Sequence, residues 1–101
     1  MDIIVYLQTQ HESLDANTTV GSNTALGRNA LGANATASNN TGLGRSALGA
    51  NTTGQFNTAV GSAALDAATT ANYNTAVGYQ ALSATTTGDL NTAVGQDCLR
   101  D

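Results

Sequence analysis

The sequence predicts an all-β protein, a parallel β-solenoid built from seventeen-residue coils. Three observations predict it. A motif that begins Asn-Thr recurs at every seventeenth position, each unit places two aliphatic side chains at fixed positions, and the chain has 11 glycines but no proline. Helical repeats are longer, and a helix would not accept this density of Gly, Thr and Asn. Short strands and turns stacked coil on coil are therefore expected.

The repeat units align without a gap. They span residues 23–39, 40–56, 57–73 and 74–90, with a partial unit at 91–101. Residues 13–22 match half a unit, whereas residues 1–12 break the pattern. We therefore predict an N-terminal segment, 1–12, that caps the first coil or docks on another copy, followed by a solenoid over 13–101.

Three columns of the alignment are nearly invariant when positions are counted from the Asn that opens each unit. A leucine column at position 9 is predicted to form one internal spine. Its members are Leu14, Leu31, Leu48, Leu65, Leu82 and Leu99. An asparagine column at position 1 comprises Asn23, Asn40, Asn57, Asn74 and Asn91. A glycine column at position 5 comprises Gly27, Gly44, Gly61, Gly78 and Gly95.

Strand alternation predicts how each unit folds. In Asn-Thr-Ala-Val-Gly, the Thr at position 2 and the aliphatic residue at position 4 share a face. In the second segment, the Leu at position 9 shares a face with positions 11 and 13. We expect two strands and two turns per coil, with the two aliphatic columns meeting inside a thin roll.

Glycine and asparagine are expected at the turns for different reasons. The Gly at position 5 supplies a positive φ where each coil bends, and Gly32, Gly49, Gly54 and Gly88 mark the other bends. The Asn at position 1 fits two interpretations. It either stacks into an amide ladder between coils or is a turn residue that bonds to its own backbone.

The small aliphatic content predicts an oligomer. Ordering a chain costs about 1.5 kcal/mol per residue, and one Leu and one Val or Leu per coil cannot offset that cost alone. An Ala-rich face must therefore be buried against another copy, in a trimer or a lateral pair. The open ends of a solenoid can also template further pairing, so a head-to-tail filament is the alternative.

The units NTALGRNALGANATASN, NTAVGSAAL and NTAVGYQALSATTTGDL resemble the head repeats of trimeric autotransporter adhesins and similar repeats in phage tail fibres. The resemblance covers residues 13–101. It implies a left-handed parallel β-roll, a homotrimer, and a structural or adhesive fibre located outside the cell, on a cell surface or on a virion. The implied partners are other copies of the chain and a host surface glycan or matrix.

Composition and motifs argue against most chemistry. With 3 Lys and Arg residues the chain lacks a basic surface for nucleic acid, and the apolar run at 3–7 is far too short to span a membrane. His11 has no second His or nucleophile in context, Cys98 stands alone, and the aspartates follow no calcium pattern. We predict no enzyme activity, no cofactor and no metal.

Two polar arrays suggest further functions. Asn-x-Ser/Thr sequons, which can accept glycans, begin at Asn17, Asn34, Asn39 and Asn51, although turn propensity alone also explains them. Threonine fills position 14 of every coil, as in ice-binding solenoids. Its expected same-face neighbour, position 12, is irregular, which argues against ice binding.

Overall fold

The computed structural model describes residues 21–100 and a two-residue strand at Ile3–Ile4. Six strands form a single sheet in chain order. They are β1 (Ile3–Ile4), β2 (Thr24–Leu26), β3 (Thr41–Leu43), β4 (Thr58–Val60), β5 (Thr75–Val77) and β6 (Thr92–Val94). Every pairing is parallel, and no helix occurs over this part of the chain.

The strand register confirms the predicted solenoid. From β2 to β6, each residue pairs with its equivalent in the next repeat unit, as in Thr24 with Thr41 and Val60 with Val77. The hydrogen bonds between coils continue beyond the strands: the Leu31 N–H donates to the Ala47 carbonyl at 3.0 Å, and the Leu48 N–H donates to the Ala64 carbonyl at 3.0 Å. Successive coils are thus stacked directly on one another.

Strand β1 lies at the N-terminal edge of the sheet. Ile3 pairs with Thr24 and Ile4 pairs with Ala25. These paired residues are farther apart in the sequence than one repeat unit, which is the separation between paired residues in the other strands. The remaining residues of the predicted 1–12 segment, and the spine residue Leu14, lie outside the described residues. Whether this segment caps the roll or docks on another copy stays a prediction.

The prediction of two strands per coil is wrong, because the second segment consists of consecutive tight turns. In the first coil, the Ala30 N–H bonds to the Gly27 carbonyl, Gly32 to Asn29, and Asn34 to Leu31, at 3.0–3.1 Å. Asn29 and Leu31 have φ of 61° and 51°. Each left-handed residue reverses the local direction of the chain, so the alternation of an extended strand does not apply here.

Positions 2 and 4 share one face of the strand, as predicted, but the prediction that this face points into the roll is wrong. Position 3, which holds Ala or Gly, points inward and is buried, whereas the Leu or Val at position 4 points outward. The roll is too thin for both aliphatic columns. At Gly42, even a methyl group would lie 3.3 Å from Cγ of Leu31. The leucine spine fills the interior, and only Ala or Gly fits opposite it.

The core therefore consists of one leucine column surrounded by alanine. Leu31, Leu48 and Leu65 are fully buried and Leu82 nearly so, whereas Leu99 in the last coil is 59% exposed. The cluster also contains Ala68 and Ala71, together with the alanines at positions 3 and 8: Ala25, Ala30, Ala47, Ala59, Ala64, Ala76, Ala81 and Ala93. Position 11, which was expected to share the leucine face, is half-buried or exposed.

Candidate functional site

The asparagine column at position 1 forms a continuous amide ladder. Asn57 is representative: its Nδ2 donates to the Ala71 carbonyl at 2.7 Å and to Oδ1 of Asn40 at 3.1 Å. Its own Oδ1 accepts the backbone N–H of Asn74 at 3.0 Å and the Asn74 Nδ2 at 3.2 Å. Of the two interpretations left open by the sequence, the coil-to-coil ladder is the one found.

A second, shorter amide ladder lies at position 12. Nδ2 of Asn51 donates to Oδ1 of Asn34 at 3.0 Å and to the Gly54 carbonyl at 3.0 Å. The column then changes to Ala68, and the Oδ1 of Asn51 is buried without a hydrogen-bond partner among the described residues. A buried acceptor of this kind costs about 1–3 kcal/mol.

This arrangement bears on the sequons. Asn34 and Asn51 are fully buried, so a glycan could not be attached to either amide without breaking the ladder. Asn39 is exposed and has a φ of 62°. Asn17 lies outside the described residues.

Extending the short ladder should stabilise the protein. In Ala68→Asn, the new Nδ2 would reach Oδ1 of Asn51 and the Ala71 carbonyl, as Asn51 reaches Asn34 and Gly54. The hydroxyl of Thr85, next in the column, can donate to the new oxygen. We expect a gain of about 1 kcal/mol in unfolding free energy, measured by chemical denaturation.

The double variant Asn51→Ala/Ala68→Asn is the control for this prediction, because it removes the unpaired acceptor. Compared with Asn51→Ala alone, the double variant should show no gain in unfolding free energy. An equal gain with and without Asn51, or no gain in either case, would contradict the assignment of the unpaired oxygen.

The outward face of the sheet carries an exposed aliphatic column at position 4. Leu43 is 40% exposed, Val94 is 68% exposed, and Val60 and Val77 are half-buried. Threonines at position 2 accompany them on the same face. These Leu/Val side chains therefore form an apolar column on the surface, whereas the alanines at positions 3 and 8 lie inside the roll.

Two further columns reach the surface at the end of each unit. At position 17, the rings of Phe56 and Tyr73 are stacked with centroids 5.0 Å apart and an angle of 5° between planes, and Leu90 follows at 78% exposure. At position 14, the threonines of all four described coils are exposed. They are Thr36, Thr53, Thr70 and Thr87.

Position 12 was predicted to share a face with the threonines of position 14. This prediction is wrong, because position 12 points into the core. The adjacent surface column is position 13, where the Thr52 and Thr69 hydroxyls donate to the carbonyls of Thr69 and Thr86. Ice binding by the position 14 column stays a prediction.

A basic cleft lies on the turn that follows β2 and β3. Arg28 and Arg45, at position 6 of adjacent coils, line it together with Asn29 and Ser46. The volume of the cleft is about 190 Å³. Both arginines are exposed, so their guanidinium groups are accessible to a ligand.

Among residues 21–100, the remaining ionisable groups do not form a recognisable reactive centre. Burial raises the pKa of the Asp66 carboxyl above its ordinary value, partly opposed by the backbone N–H groups of Asp66 and Ala67. The Cys98 thiol is half-buried and packs against the core. Over the described residues no three His, Cys, Asp or Glu side chains cluster as a metal site. His11 lies outside them.

Comparisons with known proteins give no relative. No protein-family model, no curated protein and no solved structure matches the chain. Among the described residues there is also no helix with the length and apolar character needed to cross a bilayer.

Proposed function

We propose that the chain is a structural and adhesive module of an extracellular or virion fibre, in which copies associate through the outward face of the sheet. The observation that carries this proposal is the exposed Leu/Val column at position 4. Its side chains lie on a regular strand face, one per coil, where they could pack against the same column of another copy. Burying a fully exposed side chain of this kind contributes about 1.5–3 kcal/mol, and these partly covered side chains would each contribute less.

The internal ladders suit a rigid spacer. Each coil is joined to the next by backbone hydrogen bonds and by the amide ladder of position 1. Bending the roll would have to break several of these bonds at once. A stiff rod of repeated coils presents each surface column several times, so weak contacts with a host surface glycan or matrix can add together. The resemblance to adhesin heads and tail fibres favours a trimer.

The test is the oligomeric state of the chain and of a variant with a charge on the outward face. Wild-type protein should have three times the mass of one chain by light scattering coupled to size exclusion. Leu43→Lys should give a monomer, because three lysines would be brought together in an apolar contact. Thr53→Lys, which adds the same charge to the same coil on another surface, should leave the trimer intact.

Two results would contradict the proposal: a monomeric wild-type protein, or a trimer that Leu43→Lys does not disturb. Assemblies that grow with protein concentration and keep forming in Leu43→Lys would favour the head-to-tail filament instead. In that case β6, which has a free edge among the described strands, would pair with another copy.

A further inference from the structure

The arginines of the basic cleft are placed side by side by the repeat itself. Arg28 and Arg45 occupy the same position in adjacent coils, and the Ser46 N–H donates to the Arg28 carbonyl at 2.9 Å. Their backbones are therefore separated by about one strand spacing, ~4.8 Å. Two guanidinium groups that leave parallel backbones this close together can reach one common ligand.

The charges of this pair are not balanced by the described part of the protein. The chain has only 3 Lys and Arg residues and a net charge of −4, yet two of these cations are adjacent. Within residues 21–100, neither arginine forms an ion pair, whereas Arg100 lies 3.5 Å from Asp97. Two like charges carried on adjacent coils repel each other. An anion bound between them would relieve that repulsion.

The shape and composition of the cleft define the ligand that fits. A volume of about 190 Å³ is below the range of pockets that enclose a whole drug-sized molecule, so it suits one small charged group. Guanidinium groups bind the oxygens of a carboxylate or sulfate through paired hydrogen bonds. The Asn29 amide and the Ser46 hydroxyl, which also line the cleft, offer neutral hydrogen-bonding groups to the atoms beside the charge.

We propose that this cleft binds a single oxyanion, a carboxylate or sulfate, carried on an otherwise neutral saccharide. The oxyanion follows from the paired arginines. The saccharide rests on the proposed adhesive function. A long polyanion is disfavoured because the net charge of the chain is negative and only two cations line the cleft.

The experiment follows the Nε–Hε signals of the arginines by NMR while methyl β-glucuronide is added to the full-length protein. Methyl β-glucoside is the control ligand that has the sugar but no charge, and inorganic sulfate is the control ligand that has the charge but no sugar. We expect saturable shifts of the Arg28 and Arg45 signals with the glucuronide, no shift with the glucoside, and weaker affinity for sulfate. Added salt should weaken binding.

Variants identify the binding groups. Arg28→Gln and Arg45→Gln should each weaken glucuronide binding about tenfold or more. Arg100→Gln removes the same charge from the last coil and should leave the affinity unchanged. An unaltered amide spectrum outside the cleft shows that each variant is folded.

Three results would overturn the proposal: no saturable shift with the glucuronide, an affinity in Arg28→Gln and Arg45→Gln equal to that of the wild-type protein, or binding of sulfate without binding of the glucuronide, which would indicate an adventitious ion only. Light scattering on the same samples reports the oligomeric state separately. A trimer without glucuronide binding therefore contradicts this inference alone, and a monomer that binds it contradicts the fibre assembly alone.

Discussion

Replacing Gly61 by alanine is expected to destabilise the solenoid by about 3 kcal/mol or more. Gly61 has a φ of 131°, a conformation that side chains rarely adopt. A Cβ atom there would also lie 2.6 Å from the Gly78 carbonyl oxygen and 2.7 Å from its carbon. Those atoms belong to the backbone of the next coil, so relieving the overlap requires separating two coils.

The loss is large compared with the total stability of a small domain, about 5–15 kcal/mol. Chemical denaturation followed by circular dichroism measures it, and a variant that no longer gives the wild-type spectrum also agrees with the prediction. Gly88→Ala is the matched control. Gly88 is exposed and is not left-handed, and its added methyl would contact Nδ2 of Asn91 at 3.2 Å and Cγ2 of Thr85 at 3.4 Å.

We expect Gly88→Ala to change the unfolding free energy by less than about 1 kcal/mol. If the two variants were equally stable, the close stacking of the glycine column would be wrong.

Asn57→Ala is expected to cost about 4 kcal/mol, because several buried groups lose a partner together. The backbone N–H of Asn74 loses its acceptor, and the Ala71 carbonyl loses a donor. The amides of Asn40 and Asn74 each lose one of their bonds to Asn57. Water cannot replace Asn57 without entering the core, since this side chain is 1% exposed.

Asn72→Ala tests whether burial is the reason for this cost. Asn72 also bonds from one coil to the next, accepting the Gln55 N–H at 2.9 Å, but this bond lies at the exposed surface, where water can substitute. We expect a loss of about 1 kcal/mol or less. Denaturation midpoints of the two variants provide the comparison, and similar losses would show that the interior ladder has no special role.

The architecture could be predicted because the repeat aligns chemically identical residues. A residue such as Gly61, which recurs at one position in every coil, identifies a backbone requirement without any homologue. The strand TAV, by contrast, could not be oriented by alternation alone. Alternation allows either face of the strand to point inward. The choice between them depends on the width of the roll, which Leu65 and its neighbours in the spine determine.

The turn that carries the spine was missed for a different reason. Leu31, Leu48, Leu65 and Leu82 have φ of 51–53°, a region in which a leucine is rarely found. Nothing in its side chain indicates this conformation. Burial in the interior and the bonds to adjacent coils stabilise it, and these depend on the complete stack.

The basic cleft and the stacked aromatic pair were not predicted, because their residues lie in variable columns of the repeat and only the invariant columns were interpreted. Arg28 and Arg45 are separated by one repeat unit, as are Phe56 and Tyr73, so the register alone places each pair on adjacent coils. Their proximity could have been found from the sequence. The unpaired oxygen of Asn51 could not, because it depends on position 12 pointing inward.

The central claim, that coils stack at an offset of one seventeen-residue unit, is tested most directly by nuclear Overhauser effects between strands in isotope-labelled protein. Contacts between amide and α protons should link Thr58–Val60 with Thr75–Val77, and the same offset should recur for each neighbouring pair from β2 to β6. Contacts at another offset, close pairs of α protons typical of antiparallel strands, or runs of sequential amide contacts typical of helix would contradict it.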